Sequence, residues 1–217
     1  MLIDYIPNGS TILLSGDSVT DCGRARPYGD PLWGLGNGYP AFLHNVITGT
    51  YPEKRIKLIN VGISGETSRD VLKRWENDLD NVKPDFATLM IGANDVWRRY
   101  DAYLFPEKQV SDEEYEANIR KIIAIAQRKT KGFMLISPVF IDLNKNDAMR
   151  RDLDNLNAIL KRLCNETGTI YCDVQSDIDN LLTKLHPTVF SPDRIHPTPT
   201  AHYAIARCIL KQIGFVF

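Results

Sequence analysis

The sequence predicts an α/β fold in which one parallel sheet lies between two layers of helix. Three observations predict it. Short apolar runs alternate with longer amphipathic stretches, the short runs are continuously rather than alternately apolar, and there are five of them. A strand that is apolar on both faces must be covered on both faces, which is the condition of a parallel sheet sandwiched by helices.

The strands are expected over residues 11–15, 56–61, 86–91, 132–137 and 169–173, each too short for a buried helix and rich in Ile, Leu, Val or Phe. Between them, residues 39–47, 67–79, 112–128 and 148–165 carry apolar side chains at spacings of three and four, as a helix with one buried face requires. A last helix is expected over 201–213, with Thr198 as N-cap and Pro199 in its first turn. Residues 21–40 are the one long stretch without periodicity. They are rich in Gly, Arg, Pro and aromatic residues and directly follow the first strand, and loops of that length in compact domains usually serve function.

No repeat, low-complexity tract or linker divides the 217 residues, so a single domain over 1–217 is expected. Twenty-six basic against twenty-seven acidic residues leave a net charge of −1, which supplies no field for nucleic acid, an anionic membrane or a highly charged polymer. The expected partner is a small neutral substrate. Met1 to Gly9 lacks a basic start, a long apolar run and a small-residue cleavage site, and no run of about eighteen apolar residues occurs, so a cytoplasmic protein is expected. Cys22, Cys164, Cys172 and Cys208 show no paired metal spacing and read as reduced thiols. His196 and His202 have no neighbouring His or Cys at ligand spacing, and Gly34-Leu35-Gly36-Asn37-Gly38 lacks a closing Lys. No metal and no cofactor are expected.

Ligands of open parallel sheets gather beyond the carboxyl ends of the strands. Three strand ends are polar there: Gly16-Asp17-Ser18-Val19, Gly62-Ile63-Ser64-Gly65-Glu66-Thr67 and Gly92-Ala93-Asn94-Asp95. Late in the chain, Asp193-Arg194-Ile195-His196 sets a carboxylate one short turn from an imidazole, on a loop stiffened by Pro197. Taken singly, each has an ordinary reading as turn, cap or surface residue. Together they complement one another. Ser18 is the candidate nucleophile, His196 its base and Asp193 the orienting acid. The Ser18 N–H, the Gly65 N–H and the Asn94 amide are candidate donors to a developing oxyanion. Trp97 and Arg98, just beyond Asn94-Asp95, are candidate substrate-binding residues, the alternative being a helix-terminal cluster with Trp97 in the core. His202 and Tyr203 are expected to pack the last helix.

Those four blocks, in that order, resemble the four sequence blocks of the SGNH or GDSL hydrolase superfamily. The resemblance implies a flavodoxin-like three-layer α/β/α sandwich, Ser18 as nucleophile, Gly65 and Asn94 as oxyanion donors, and Asp193 with His196 completing the triad. Val19 stands where the superfamily name has leucine, a conservative apolar change. Ser18 through Pro27, Trp75-Glu76 and Gly92 through Asp101 are further similar to bacterial intracellular acetylxylan esterases, which remove acetyl groups from short xylo-oligosaccharides. Pro192 departs from the aromatic residue that precedes the acid in such enzymes.

The chemistry expected is therefore serine ester hydrolysis on an acetylated oligosaccharide. Tyr28 and Trp33 offer flat apolar contact for sugar rings, while Arg24, Arg26, Asp30 and Arg98 can hydrogen-bond hydroxyls. The competing enzyme reading is a lysophospholipase or thioesterase acting on longer acyl chains. A crevice that binds a nucleotide or sugar without reacting is the reading from another class. Assembly into a homo-oligomer is compatible with each of these.

Overall fold

The computed structural model describes residues 6–216. Five strands, β1 (Thr11–Gly16), β2 (Lys57–Asn60), β3 (Phe86–Met90), β4 (Gly132–Ile136) and β5 (Ile170–Cys172), form one parallel sheet in the order β2-β1-β3-β4-β5. All five lie within the expected strand positions or one residue beyond them, and the order is the flavodoxin-like one.

The helices of the two layers are α1 (Ser18–Asp21), α2 (Tyr39–Thr50), α3 (Ser68–Val82), α4 (Ala93–Asp101), α5 (Asp112–Lys129), α6 (Ala148–Thr167), α7 (Val174–Leu182) and α8 (Pro199–Gln212). Right-handed crossovers explain which face each one covers. The chain leaves β1 through α2 to reach β2 on one side, then returns through α3 to β3 on the other side. The reversal of direction puts α2 and α3 on opposite faces. Every later crossover continues in the same sense, so α5 and α6 join α3, whereas α7 and α8 close the face begun by α2.

Successive strand residues serve different cores because side chains alternate across a sheet. Ile12 and Leu14 of β1 enter the core under α2 and α8, and Leu13 enters the core under α3, α5 and α6. On the second face Trp75 is fully buried, donates its indole N–H to the Ile122 carbonyl at 3.1 Å and lies 5.6 Å from the Phe133 ring. No helix among the described residues is long and apolar enough to cross a membrane.

The helix starts obey local chemistry. Thr67 caps α3 in a reciprocal box with Asp70, Ser111 caps α5 by accepting the Glu114 N–H, and Thr198 caps α8 with Pro199 in its first turn. Three helices lie where periodicity predicts none: the single turn α1, where a turn is expected, α4, where Asn94-Asp95 reads as capping a helix or turn, and α7, which begins directly at the end of β5. Tyr203 is also a correction: it is 44% exposed, touching Phe42 edge-on rather than packing beneath its helix.

Candidate active site

The reversal of strand order places β1 between β2 and β3, so the loops after these three strands share one end of the sheet at the topological switch point. Ser18 opens α1 there, one residue past Asp17, whose carboxylate caps the turn by accepting the Val19 N–H at 3.0 Å. Gly16 is required before it. A Cβ at this position, with φ +157°, would lie 2.4 Å from the Met90 carbonyl oxygen and 2.3 Å from the Thr20 hydroxyl. The strand can therefore turn sharply against β3 and present Ser18 at its tip.

His196 arrives from 178 residues further along the chain, and its Nε2 lies 3.1 Å from Ser18 Oγ. Its Nδ1 lies 2.6 Å from Asp193 Oδ2. Asp193 Oδ1 accepts from the backbone N–H groups of Ile195 (3.0 Å) and His196 (2.8 Å) and from the Ser191 hydroxyl (3.2 Å). Partial burial raises the Asp193 pKa, but the His196 ring and these N–H groups outweigh it and hold the carboxyl at about 2. An ionised carboxylate can only accept, so Nδ1 carries the ring proton and the Nε2 lone pair faces the serine hydroxyl. Arg194 sits between them with φ +71°; its carbonyl accepts the Ile141 N–H at 2.8 Å and its guanidinium reaches Asp147 at 2.9 Å. Those contacts hold the loop in a left-handed backbone conformation that L-residues seldom adopt.

Among the described residues, neither the Ser18 N–H nor the Gly65 N–H donates to a protein acceptor. Gly65 is exposed with φ +85°. Asn94, 4% exposed, spends one amide hydrogen on the Glu66 carbonyl at 2.9 Å and accepts from Arg98 at 3.3 Å, which leaves its second hydrogen for another acceptor. Asn94 is thus tied to the loop that carries Gly65. The half-buried Trp97 ring packs partly on the core under α3, yet its centroid is 5.6 Å from that of His196, and the Arg98 guanidinium lies 5.7 Å from the Trp97 centroid. Tyr28 packs against the same core, whereas Trp33 is 98% exposed at the tip of the long loop.

Buried charge surrounds the serine. Asp17 is pushed up to about 7, first by burial and then by Asp95, and Asp95 is pushed up to about 6 by burial despite hydrogen bonds from Ser68. His202 packs the last helix as expected, 4% exposed, and its polar partners are what the sequence does not give. Its Nδ1 accepts the Tyr39 N–H at 3.2 Å, so its Nε2 hydrogen points at Cys22 Sγ, 3.1 Å away. Burial holds this imidazole down at about 4 and pushes the Cys22 thiol up to about 11, so the pair is a structural strut and not a nucleophile with its base. Sequence reasoning also passed over Ser191. Its spacing of two residues before Asp193 is the signal of a side-chain-stabilised turn.

The chemistry available to a base-activated hydroxyl with unspent N–H donors beside it is acyl transfer. The model of the GDSL-like Lipase/Acylhydrolase family matches residues 14–204. An acetylxylan esterase of Geobacillus stearothermophilus is 42% identical over 211 residues, covering 97% of this chain and 96% of that protein. The crystal structure of Axe2, an acetylxylan esterase from that organism, matches with a TM-score of 0.95 and 41% identity over 97% of each chain. Axe2 forms with a serine, an aspartate or a histidine replaced by alanine are described as catalytic mutants. LAE5, an alpha/beta hydrolase from the metagenome of Lake Arreo, matches with a TM-score of 0.93 and 38% identity over 97% of each chain. A family match running from β1 into α8, with a relative 42% identical along nearly the whole length, places the chain in the GDSL-like lipase/acylhydrolase family.

Proposed function

We propose that this protein is a serine ester hydrolase that removes acetyl groups from small acetylated xylo-oligosaccharides. The observation that carries the reading is the unbroken series Ser18 Oγ, His196 Nε2, His196 Nδ1, Asp193 Oδ2, with gaps of 3.1 and 2.6 Å. Ser18 passes its proton to His196 as Oγ bonds to the acetyl carbon. The carbonyl oxygen takes up negative charge opposite the N–H groups of Ser18 and Gly65 and the free amide hydrogen of Asn94. The C–O bond to the sugar then breaks as His196 returns the proton to the leaving oxygen. Water, deprotonated by the same imidazole, releases acetate from Ser18. Asp193 stays ionised throughout and steadies the imidazolium.

Trp97, beside the imidazole, and Arg98, against its ring, flank the position of the leaving alcohol. They suit a sugar ring and its hydroxyls better than an alkyl chain. The acetylxylan esterase relatives support the same acceptor. One domain over residues 1–217 belongs to this reading, supported by a single sheet that serves both cores. A cytoplasmic site of action belongs to it as well, in keeping with four free thiols.

Mass spectrometry of acetylated xylo-oligosaccharides before and after incubation tests it, with successive loss of acetyl units expected. Rates on p-nitrophenyl acetate and octanoate test the acyl group. A steep fall with chain length supports deacetylation, and a rise would replace it with a long-chain acylhydrolase.

A further inference from the structure

We propose that Asp21 is a positioning residue for the oxyanion-binding loop: its carboxylate, paired with Arg26, clamps Ser64 so that the next peptide N–H, that of Gly65, is fixed relative to Ser18. The inference rests on the proposed esterase activity, in which Gly65 donates to the acyl oxygen.

Asp21 ends the same single turn of helix that Ser18 begins. Its side chain points away from the solvent, and the residue is 2% exposed. Asp21 Oδ2 accepts from the Ser64 backbone N–H at 3.0 Å, from the Ser64 hydroxyl at 3.1 Å and from Arg26 at 2.6 Å; Oδ1 accepts from Arg26 at 3.2 Å. A buried carboxylate is tolerated because every one of these donors favours its charged form.

The loop is held on either side of Ser64 and Gly65, by Arg24 donating to the Gly62 carbonyl at 2.6 Å and by Asn94 donating to the Glu66 carbonyl at 2.9 Å, but its middle has fewer partners. Ser64 and Gly65 are exposed, and the space where a Gly65 side chain would point is open to 4 Å. Ile63 is anchored through its N–H to the Gly16 carbonyl at 3.0 Å, and the Glu66 N–H reaches the Ile63 carbonyl at 3.4 Å. Between those two anchors, Asp21 is the partner of Ser64. A glycine peptide in a left-handed conformation, free on its outer side, samples several orientations unless its neighbour is pinned. Asp21 and Ser18 ride on one rigid turn, so the clamp transmits the serine's position to the oxyanion donor. Donors aimed in advance at the developing charge are what lower the barrier, and a misplacement of about 1 Å can cost ~10²-fold.

Steady-state kinetics on p-nitrophenyl acetate, with thermal melting of each variant, provide the test. Asp21→Ala is expected to lower kcat by ~10 to 100-fold with KM within about twofold of wild type. Asp21→Asn, which keeps one acceptor for the Ser64 N–H, is expected to recover part of that loss. A folded Asp21→Ala protein with wild-type kcat overturns the proposal, as does a loss that appears in KM alone. If Asp21→Ala does not fold, Arg26→Gln at the half-exposed partner decides. A several-fold fall in kcat at constant KM supports the clamp, and wild-type kcat overturns it. Fluorophosphonate labelling of the wild-type protein separates the two levels of inference. An unlabelled Ser18 with no ester hydrolysis defeats the functional reading itself. A labelled, active wild type with unaffected variants defeats only the role of Asp21.

Discussion

Exchanging Asp193 for Asn removes one charge, and the local geometry turns that loss into a change of tautomer. Asp193 Oδ1 accepts three hydrogen bonds, from Ile195 N–H, His196 N–H and the Ser191 hydroxyl, while Oδ2 faces His196 Nδ1. The amide oxygen of an Asn must occupy the Oδ1 site, since an NH2 group there would confront two backbone N–H donors. Its NH2 group then faces Nδ1 and forces that nitrogen to accept. The ring proton moves to Nε2, where the imidazole can no longer take the proton of Ser18. The flipped amide would restore the correct tautomer but forfeits two backbone hydrogen bonds at ~1 to 1.5 kcal/mol each. That is ~2 to 3 kcal/mol, a population of roughly one in thirty to one in 150. The loss in kcat for p-nitrophenyl acetate is therefore expected between ~30-fold, if the flipped form carries the activity, and the ~10⁴-fold of the serine-protease template, if it does not. KM should barely change. A folded Asp193→Asn protein that keeps more than a tenth of wild-type kcat refutes both the tautomer argument and the role of Asp193.

Three further outcomes are expected. Asn94→Ala removes its unspent amide hydrogen beside the Gly65 loop, so kcat should fall ~10² to 10³-fold at nearly constant KM; a fall below tenfold removes Asn94 from the oxyanion site. Asp17, raised by burial from 3.8 to about 7, is protonated in the folded protein where the unfolded chain is ionised, so stability declines as pH rises from about 4 to 7, by up to ~4 kcal/mol. Asp17→Asn keeps the acceptor for Val19 and should raise Tm more at pH 8 than at pH 4; equal shifts at both would contradict the assignment. Trp75→Phe removes the indole hydrogen bond to the Ile122 carbonyl, which keeps its bond within the helix, and opens a void beside Phe133, costing ~1 to 3 kcal/mol in a denaturant titration, and an unchanged midpoint would argue against that packing.

Strands and the longer helices were legible because their burial is written in local pattern: residues 86–90 cannot be apolar at every position but Thr88 unless both faces are covered, and Thr198-Pro199 announces the start of α8. In α7 the signal was present too, since Val174, Ile178 and Leu182 recur every four residues, but the apolar run of β5 directly before it hid the change of period. The first turn of α4 is occupied by Asn94 and Asp95, both buried for hydrogen bonding, so polar residues stand where an amphipathic pattern would show apolar ones.

The chemical inventory of the site was likewise readable along the chain, since hydroxyl, imidazole, carboxylate and amide each come after a strand or lie in one stiff loop. Proximity was not. Ser18 and His196 meet across 178 positions, Asp21 and Ser64 across 43, and Cys22 and His202 across 180. Those pairings depend on the direction of each crossover and the stagger of neighbouring strands, which are set by the packing of the two cores as a whole. Local pattern encodes what a residue buries and which turn it favours, because those are interactions with near neighbours. Which distant group stands opposite, and hence whether His202 is a base or a strut, is decided only when the layers close.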